Sequence, residues 1–485
     1  MSGRQTLFII LAGALSLFNC RKTTENGLPD PDPVLPRINI TIDKTTKYQT
    51  IEGFGFFGAY DVWWESPDKM WNDSWGDMVI SDLGITIWRN EISPSSTPGS
   101  PQDADWNKQK PVISGLKAKA DKYGVNLKFI GSVWSPPADM KWECNFSWAG
   151  DPDATRNPGT VSTKNGGTLD PNKYIEYADW LISNIQLYKD LGVDLYGIGL
   201  QNELMFREPY NSCMYTITWY NDMVKAVVPR IKASFPDVKI YGAENMLEME
   251  GKEENYRWFY HTGIKSDPDV ASNIDILAVH GYSDGIAATS GSELAKMWTN
   301  HKTVFSSPMN KKAWMTETSG YTDSWERKGD KPGALNLAMD IHSGLYYGDM
   351  NAWVWWQGSQ ATSDEFSLMS GTRTGKKYGV SKHFYRYIRP GAVRVKGTSD
   401  DSSLFLTAFE NSVKGTFTIV IINSGDSAKS VTLNGEGLPG TFKMYRTNSG
   451  SENCTYIKDI APGSAGSFEM QGKTIVTLQA GGDPL

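Results

Sequence analysis

The chain has 485 residues, enough for a barrel of about 250 residues and a second domain. Hydrophobic residues make up 39% and charged residues 21%, and a net charge of −7 with no basic block excludes a nucleic-acid surface or an electrostatic membrane patch. The 18 Trp, 22 Tyr and 18 Phe include several beside Gly and Pro, where flat rings suit sugar faces.

In chain order, Arg4 precedes an apolar run over residues 7–18 that stops at Cys20. The run is too short to span a bilayer and reads as a signal peptide over residues 1–20. Leu17-Phe18-Asn19-Cys20 resembles a bacterial lipoprotein cleavage box. Cys20 is therefore the expected lipidation site. The protein is expected to be exported, as an outer-membrane or cell-surface lipoprotein, otherwise periplasmic or secreted. Residues 21–36 hold Pro29, Pro31, Pro33 and Pro36 and read as a flexible tether.

Residues 37–48 form a strand expected to join a C-terminal β-domain. Eight apolar runs then alternate with helical patterns: 51–58, 85–92, 127–135, 195–203, 238–244, 274–282, 313–319 and 352–356. Helices are predicted over 173–191, 218–233 and 334–347, the last with Leu335, Ala338, Met339, His342 and Leu345 at helical spacing. Such alternation predicts an α/β fold, a (β/α)8 TIM barrel over residues 49–390. After Pro390 short alternating strands separated by Gly, Ser, Asn and Asp predict a small β-sandwich over 391–485.

Without Cys20 the cysteines are Cys144, Cys213 and Cys454, with no CxxC and no metal-ligand spacing, so no metal or cofactor is expected. A Cys144–Cys213 disulfide is expected, because each lies in a long loop after an apparent active-site strand.

Barrel enzymes carry their chemistry at the C-terminal strand ends. The fourth run ends in Gln201-Asn202-Glu203 and the seventh in Thr316-Glu317. Strands four and seven stand across an eight-stranded ring, so the two carboxylates can face one another. That pair suits cleavage of a glycosidic bond: one carboxyl protonates the leaving oxygen and the other attacks the anomeric carbon.

These two strand ends resemble the clan A glycoside hydrolases, and the ordered set of motifs resembles glycoside hydrolase family 30. The set comprises Gln49-Thr50-Ile51-Glu52-Gly53-Phe54-Gly55, Val133-Trp134-Ser135-Pro136-Pro137 with Met140-Lys141, and the two catalytic strand ends. Trp353-Val354-Trp355-Trp356 and Arg386-Tyr387-Ile388-Arg389-Pro390-Gly391 complete it. The resemblance implies Glu203 as acid/base and Glu317 as nucleophile of a retaining mechanism. Asn202 would bind the sugar 2-hydroxyl, and Arg89 would pair with Glu317. His280 and Tyr282 would contact the nucleophile or substrate, and Trp134, Trp355 and Trp356 would contact the sugars. The implied partner is a polysaccharide or oligosaccharide, met by a monomer.

Glucuronoxylan-cleaving members grip a carboxylate with an Arg pair after strand eight, where this chain has Gln357, Gly358, Ser359 and Gln360. The expected activity is an endo-β-1,4-xylanase without a glucuronate requirement, with β-1,6-glucanase and β-1,6-galactanase as alternatives. A non-catalytic glycan-binding protein is the alternative from another class. Gly53-x-Gly55-x-x-Gly58 fits a dinucleotide fingerprint, but aromatics fill its gaps and no phosphate-binding helix start follows.

Overall fold

The computed structural model describes residues 34–58, 73–246, 258–282 and 291–485. The signal peptide, Cys20 and nearly all of the tether lie outside the described residues. The chain divides after Pro36, and the elements below all lie in Arg37–Leu485.

Eight parallel strands close a barrel in chain order: Gly53–Phe57, Ile87–Ile92, Lys128–Val133, Leu195–Gly199, Lys239–Met246, Ile276–His280, Lys312–Glu317 and Ala352–Trp355. Each coincides with one of the eight apolar runs. The predicted helices appear as Tyr174–Asp190, Ile217–Ser234 and Ala334–Tyr347. Strand side chains alternate between barrel interior and helix layer. Ile87, Ile130, Tyr241, Ile276, Ala278, Trp314, Ala352 and Val354 form the inner cluster. The glycines of the first strand serve packing, not phosphate binding. A Cβ on Gly55 would lie 1.8 Å from the Ile87 carbonyl oxygen.

The second sheet has nine strands, and its order shows why both chain ends are needed. Arg37–Thr50 pairs antiparallel with Val393–Ser399 and parallel with Lys429–Asn434. The expected sandwich is drawn from this one continuous, mostly antiparallel sheet. Residues from its two ends, such as Val431 and Phe468 at one and Phe442 and Ile460 at the other, share one apolar cluster.

The loop after the third barrel strand carries an element not foreseen from sequence, a three-stranded sheet of Lys141–Asn145, Thr155–Val161 and Thr168–Leu169. It also corrects the disulfide expectation. Cys144 and Cys213 are both buried free thiols. Burial pushes Cys144 up to about 12 and raises Cys213. The two loops are joined instead by Lys141, whose ammonium donates to the Gly166 and Ser212 carbonyls at 2.8 and 2.9 Å.

Candidate active site

The polar residues that end the barrel strands converge at one mouth. Arg89, two positions beyond the inward Ile87, is fully buried there. Its guanidinium donates to Glu317, to Asn202 Oδ1 at 2.7 Å, to Glu244 Oε1 at 3.0 Å and to Ser132 Oγ at 3.0 Å. Its planar fork fits this many-sided role, which a single ammonium could not fill.

Irregular backbone aims the carboxylates. Along the sixth and seventh strands Val279 pairs with Met315 but His280 with Glu317, so the ladder skips Thr316. A bulge of this kind re-aims the next side chain. A matching shift between the fifth and sixth strands accompanies the inward turn of Glu244. Glu203 has φ of 45°, in the left-handed region that a non-glycine residue occupies at a cost of about 1–3 kcal/mol. Its N–H donates to the Glu244 carbonyl at 2.9 Å, which fixes the turn.

His280 joins the network. Its Nδ1 lies 2.9 Å from Glu203 Oε1 and 3.7 Å from Glu317 Oε1. Burial alone would lower the imidazole, but Glu317, Glu203 and Glu244 outweigh it and raise it to about 9. Burial would likewise raise the Glu244 carboxyl; Arg89 and His280 overcome it and hold that carboxyl low. Tyr282 donates its hydroxyl to Glu317. One oxygen of Glu203, one of Glu317 and one nitrogen of His280 lie within 4.8 Å of one another. This trio offers metal-type ligand atoms, but a protonated His280 and the Arg89 charge already fill the place of a cation. The donor set suits proton traffic.

A cavity of about 290 Å³ opens over these groups, walled by Trp134, Trp356, Phe206, Tyr210 and Phe366, with Gln357 and Gln360 at one side. Phe57 stacks on Trp356 with centroids 4.3 Å apart, and Trp134 covers the Arg89 guanidinium at 4.8 Å. Next to it lies a cavity of about 350 Å³ that shares Trp134, Trp356 and Tyr210 and adds Glu91, Asp105 and Lys164. Burial pushes the Glu91 carboxyl up to about 7, and Asn211 donates to it at 2.8 Å. A larger cavity, about 680 Å³, lies at the other end of the barrel by Lys128, Leu195 and Lys239, away from the converging strand ends.

Of the residues expected at the site, Glu203, Glu317, Asn202, Trp134, Tyr282 and Trp356 line the cavity, with Arg89 and His280 directly behind the carboxylates. Trp355 does not reach it. Strand alternation sends Val354 inward and Trp355 outward, where it is fully buried and donates its indole N–H to the Phe366 carbonyl at 2.8 Å. Sequence reasoning passed over Glu244, although it ends its predicted strand just as Glu203 and Glu317 do. Glu91 and Lys164 were also missed, for no motif marks them.

No family model matches the chain. Over 410 residues it is 25% identical to the glucuronoxylanase XynC of Bacillus subtilis, covering 84% of this chain and 82% of that one. Its fold resembles the family 30 subfamily 8 xylanase Xyn30A from Clostridium acetobutylicum, with TM-score 0.69, 22% identity and coverage of 92% and 100%. It also resembles the endo-β1,6-glucanase BT3312, with TM-score 0.68, 20% identity and coverage of 92% and 94%. The likeness to glycoside hydrolase family 30 carried by the motifs is thus also one of sequence over most of the chain and of fold. The chain stands among the glycoside hydrolases.

Proposed function

We propose that this chain, a relative of the family 30 glycoside hydrolases, is a retaining endo-acting hydrolase of a neutral β-linked polysaccharide, in the first instance β-1,4-xylan. One observation carries the mechanism: oxygens of Glu203 and Glu317 approach within 4.8 Å. Carboxyls about 5–5.5 Å apart work by double displacement, whereas inversion needs about 6.5–9.5 Å to admit a water.

In the first step Glu317 attacks the anomeric carbon while Glu203 gives its proton to the departing oxygen. In the second, water attacks the glycosyl–Glu317 bond while Glu203 takes the water's proton. Arg89 and Tyr282, both donating to Glu317, fix the direction of its attack. Arg89 engages Asn202 Oδ1, and the Asn202 amide nitrogen, 3.5 Å from Glu208 Oε1, has a second hydrogen for a sugar hydroxyl. Trp134 and Trp356 give the sugar rings apolar walls.

Support for a neutral backbone comes from where the described basic residues go. Arg373 donates to Ser370 and Ala361, Lys376 to the Gly450 and Glu452 carbonyls, Lys377 to Asp364 and Ser367, and Arg207 pairs with Glu143. None of the four lines the catalytic cavity. Lys164, in the adjoining cavity, shares it with Glu91 and Asp105, so among the described residues little positive charge is left for a uronate. The reading includes export, with Cys20 as lipid anchor.

Release of reducing ends from xylan, β-1,6-glucan and β-1,6-galactan tests the proposal. New ends from xylan support it. New ends from only one of the other polymers keep the mechanism and replace the substrate. No new ends from any polymer, with binding retained, would leave a glycan-binding protein.

A further inference from the structure

Glu208 is a third carboxyl at the catalytic pair, and the mechanism above does not use it. The segment after the fourth barrel strand holds it inward. Ser212 Oγ accepts from the Glu208 and Gly166 N–H groups at 3.2 and 2.8 Å, and Lys141 holds the Ser212 carbonyl. Glu208 is 2% exposed. One of its oxygens lies 3.5 Å from Asn202 Nδ2, and the other, buried, meets no N–H or O–H donor. The carboxyl is in hydrogen-bond contact with that of Glu203.

Two ionised carboxylates have only acceptors to offer each other, so that contact requires a proton. The groups facing Glu208 are the carboxyls of Glu203, Glu317 and Glu91 and the Asn202 amide. The nearby cations serve others. Arg89 holds Glu317 and Glu244, His280 meets Glu203, Glu244 and Glu317, and Lys164 acts on Glu91. Burial first, and then the charges of Glu203 and Glu317, push the Glu208 carboxyl far above the usual carboxylate range.

The geometry points to Glu208 as a positioning residue that keeps its own proton through the cycle and donates it as a hydrogen bond to Glu203. The inference rests on the reading of Glu203 as acid/base. When Glu203 has passed its proton to the leaving oxygen, the Glu208 hydroxyl stabilises the carboxylate that remains. Glu203 then takes a proton from the attacking water, and the Glu208 proton has not moved. A buried carboxylic acid kept neutral to act as a donor is a known device of enzyme sites.

The test compares Glu208→Gln, which keeps a neutral donor of the same size, with Glu208→Leu, which removes it. The probes are unactivated β-linked oligosaccharides, whose first step needs the Glu203 proton, so that kcat/KM reports the step that leaves Glu203 as a carboxylate. Glu208→Gln should stay within about threefold of wild type. Glu208→Leu should lower kcat/KM about ten- to a hundredfold, the size of a lost hydrogen bond to a charged group. Its alkaline limb should also move to higher pH. In the infrared difference between wild type and Glu208→Gln at neutral pH, a protonated-carboxyl C=O band should disappear. A Gln variant as slow as the Leu variant, a Leu variant equal to wild type, or the absence of that band would overturn the role of Glu208 alone. A wild type that turns over none of the glycosides would overturn the enzymatic reading and this inference with it.

Discussion

His280 Nδ1 lies 2.9 Å from Glu203 Oε1, which ties a fully buried imidazole to the carboxyl assigned to acid/base work. The surrounding carboxylates raise this imidazole from 6.5 to about 9 against the opposing effect of burial. A group whose folded value is raised stabilises the fold below its unfolded value and loses that contribution as pH climbs through the folded one. The stability gap between wild type and His280→Asn should therefore be widest at about pH 6 and narrow as pH rises through about 9. Thermal melting of both proteins across that range checks this; a gap that widens with pH contradicts it.

Replacing Glu203 tests the acid directly. Glutamine is the better substitute, because φ of 45° at this position penalises alanine as much as any other L residue and glutamine keeps the side-chain contacts. Glu203→Gln should slow hydrolysis of unactivated glycosides about 10²–10⁴-fold and spare the first step of activated aryl glycosides. Values of kcat/KM, which report the first step, over a leaving-group series decide the matter. Equal losses throughout would count against Glu203 as the acid.

Arg89 engages Glu317, Glu244, Asn202 and Ser132 at once. Arg89→Lys keeps the charge but cannot hold all four, and a misplaced nucleophile is expected to cost about a hundredfold in kcat. Measured kcat near wild type would mean that charge alone, not the fork geometry, is needed.

Much of this site was legible because barrel geometry turns strand ends into a reading frame. Polar residues closing the fourth and seventh apolar runs marked Glu203 and Glu317, and the same rule applied to the fifth run would have found Glu244. The rule fails where the ladder is irregular. Skipping Thr316 is what turns Glu317 inward, and no residue type announces that skip. Trp355 and Trp356 look alike in sequence, yet strand alternation buries one and opens the other to the cavity. Glu208 and Lys164 sit on loops whose course depends on long-range contacts, such as Lys141 with Gly166 and Ser212, that no local pattern records. The same contacts explain why two cysteines in neighbouring loops need no bond between them.

The cavity walls predict the response to substrate charge. Gln357 and Gln360 can hydrogen-bond hydroxyls but offer no charge, and a lost charge-assisted contact is worth about ten- to a hundredfold in binding. Glucuronoxylan and the same polymer after removal of glucuronate should be cut at comparable rates. Should removal abolish activity, Lys164 becomes the first residue to replace.

The most direct measurement is the anomeric configuration of the first product. The Glu203 and Glu317 oxygens within 4.8 Å match the short carboxyl spacing of double displacement rather than the wide one of inversion, so the proposed reaction passes through a glycosyl intermediate on Glu317. Proton NMR of the reducing end, recorded in the first minutes of hydrolysis of a β-linked polymer, should show the β-anomer first and the α-anomer only as mutarotation proceeds. An α-anomer that appears first would contradict the double displacement and, with it, the assignment of Glu317 as nucleophile.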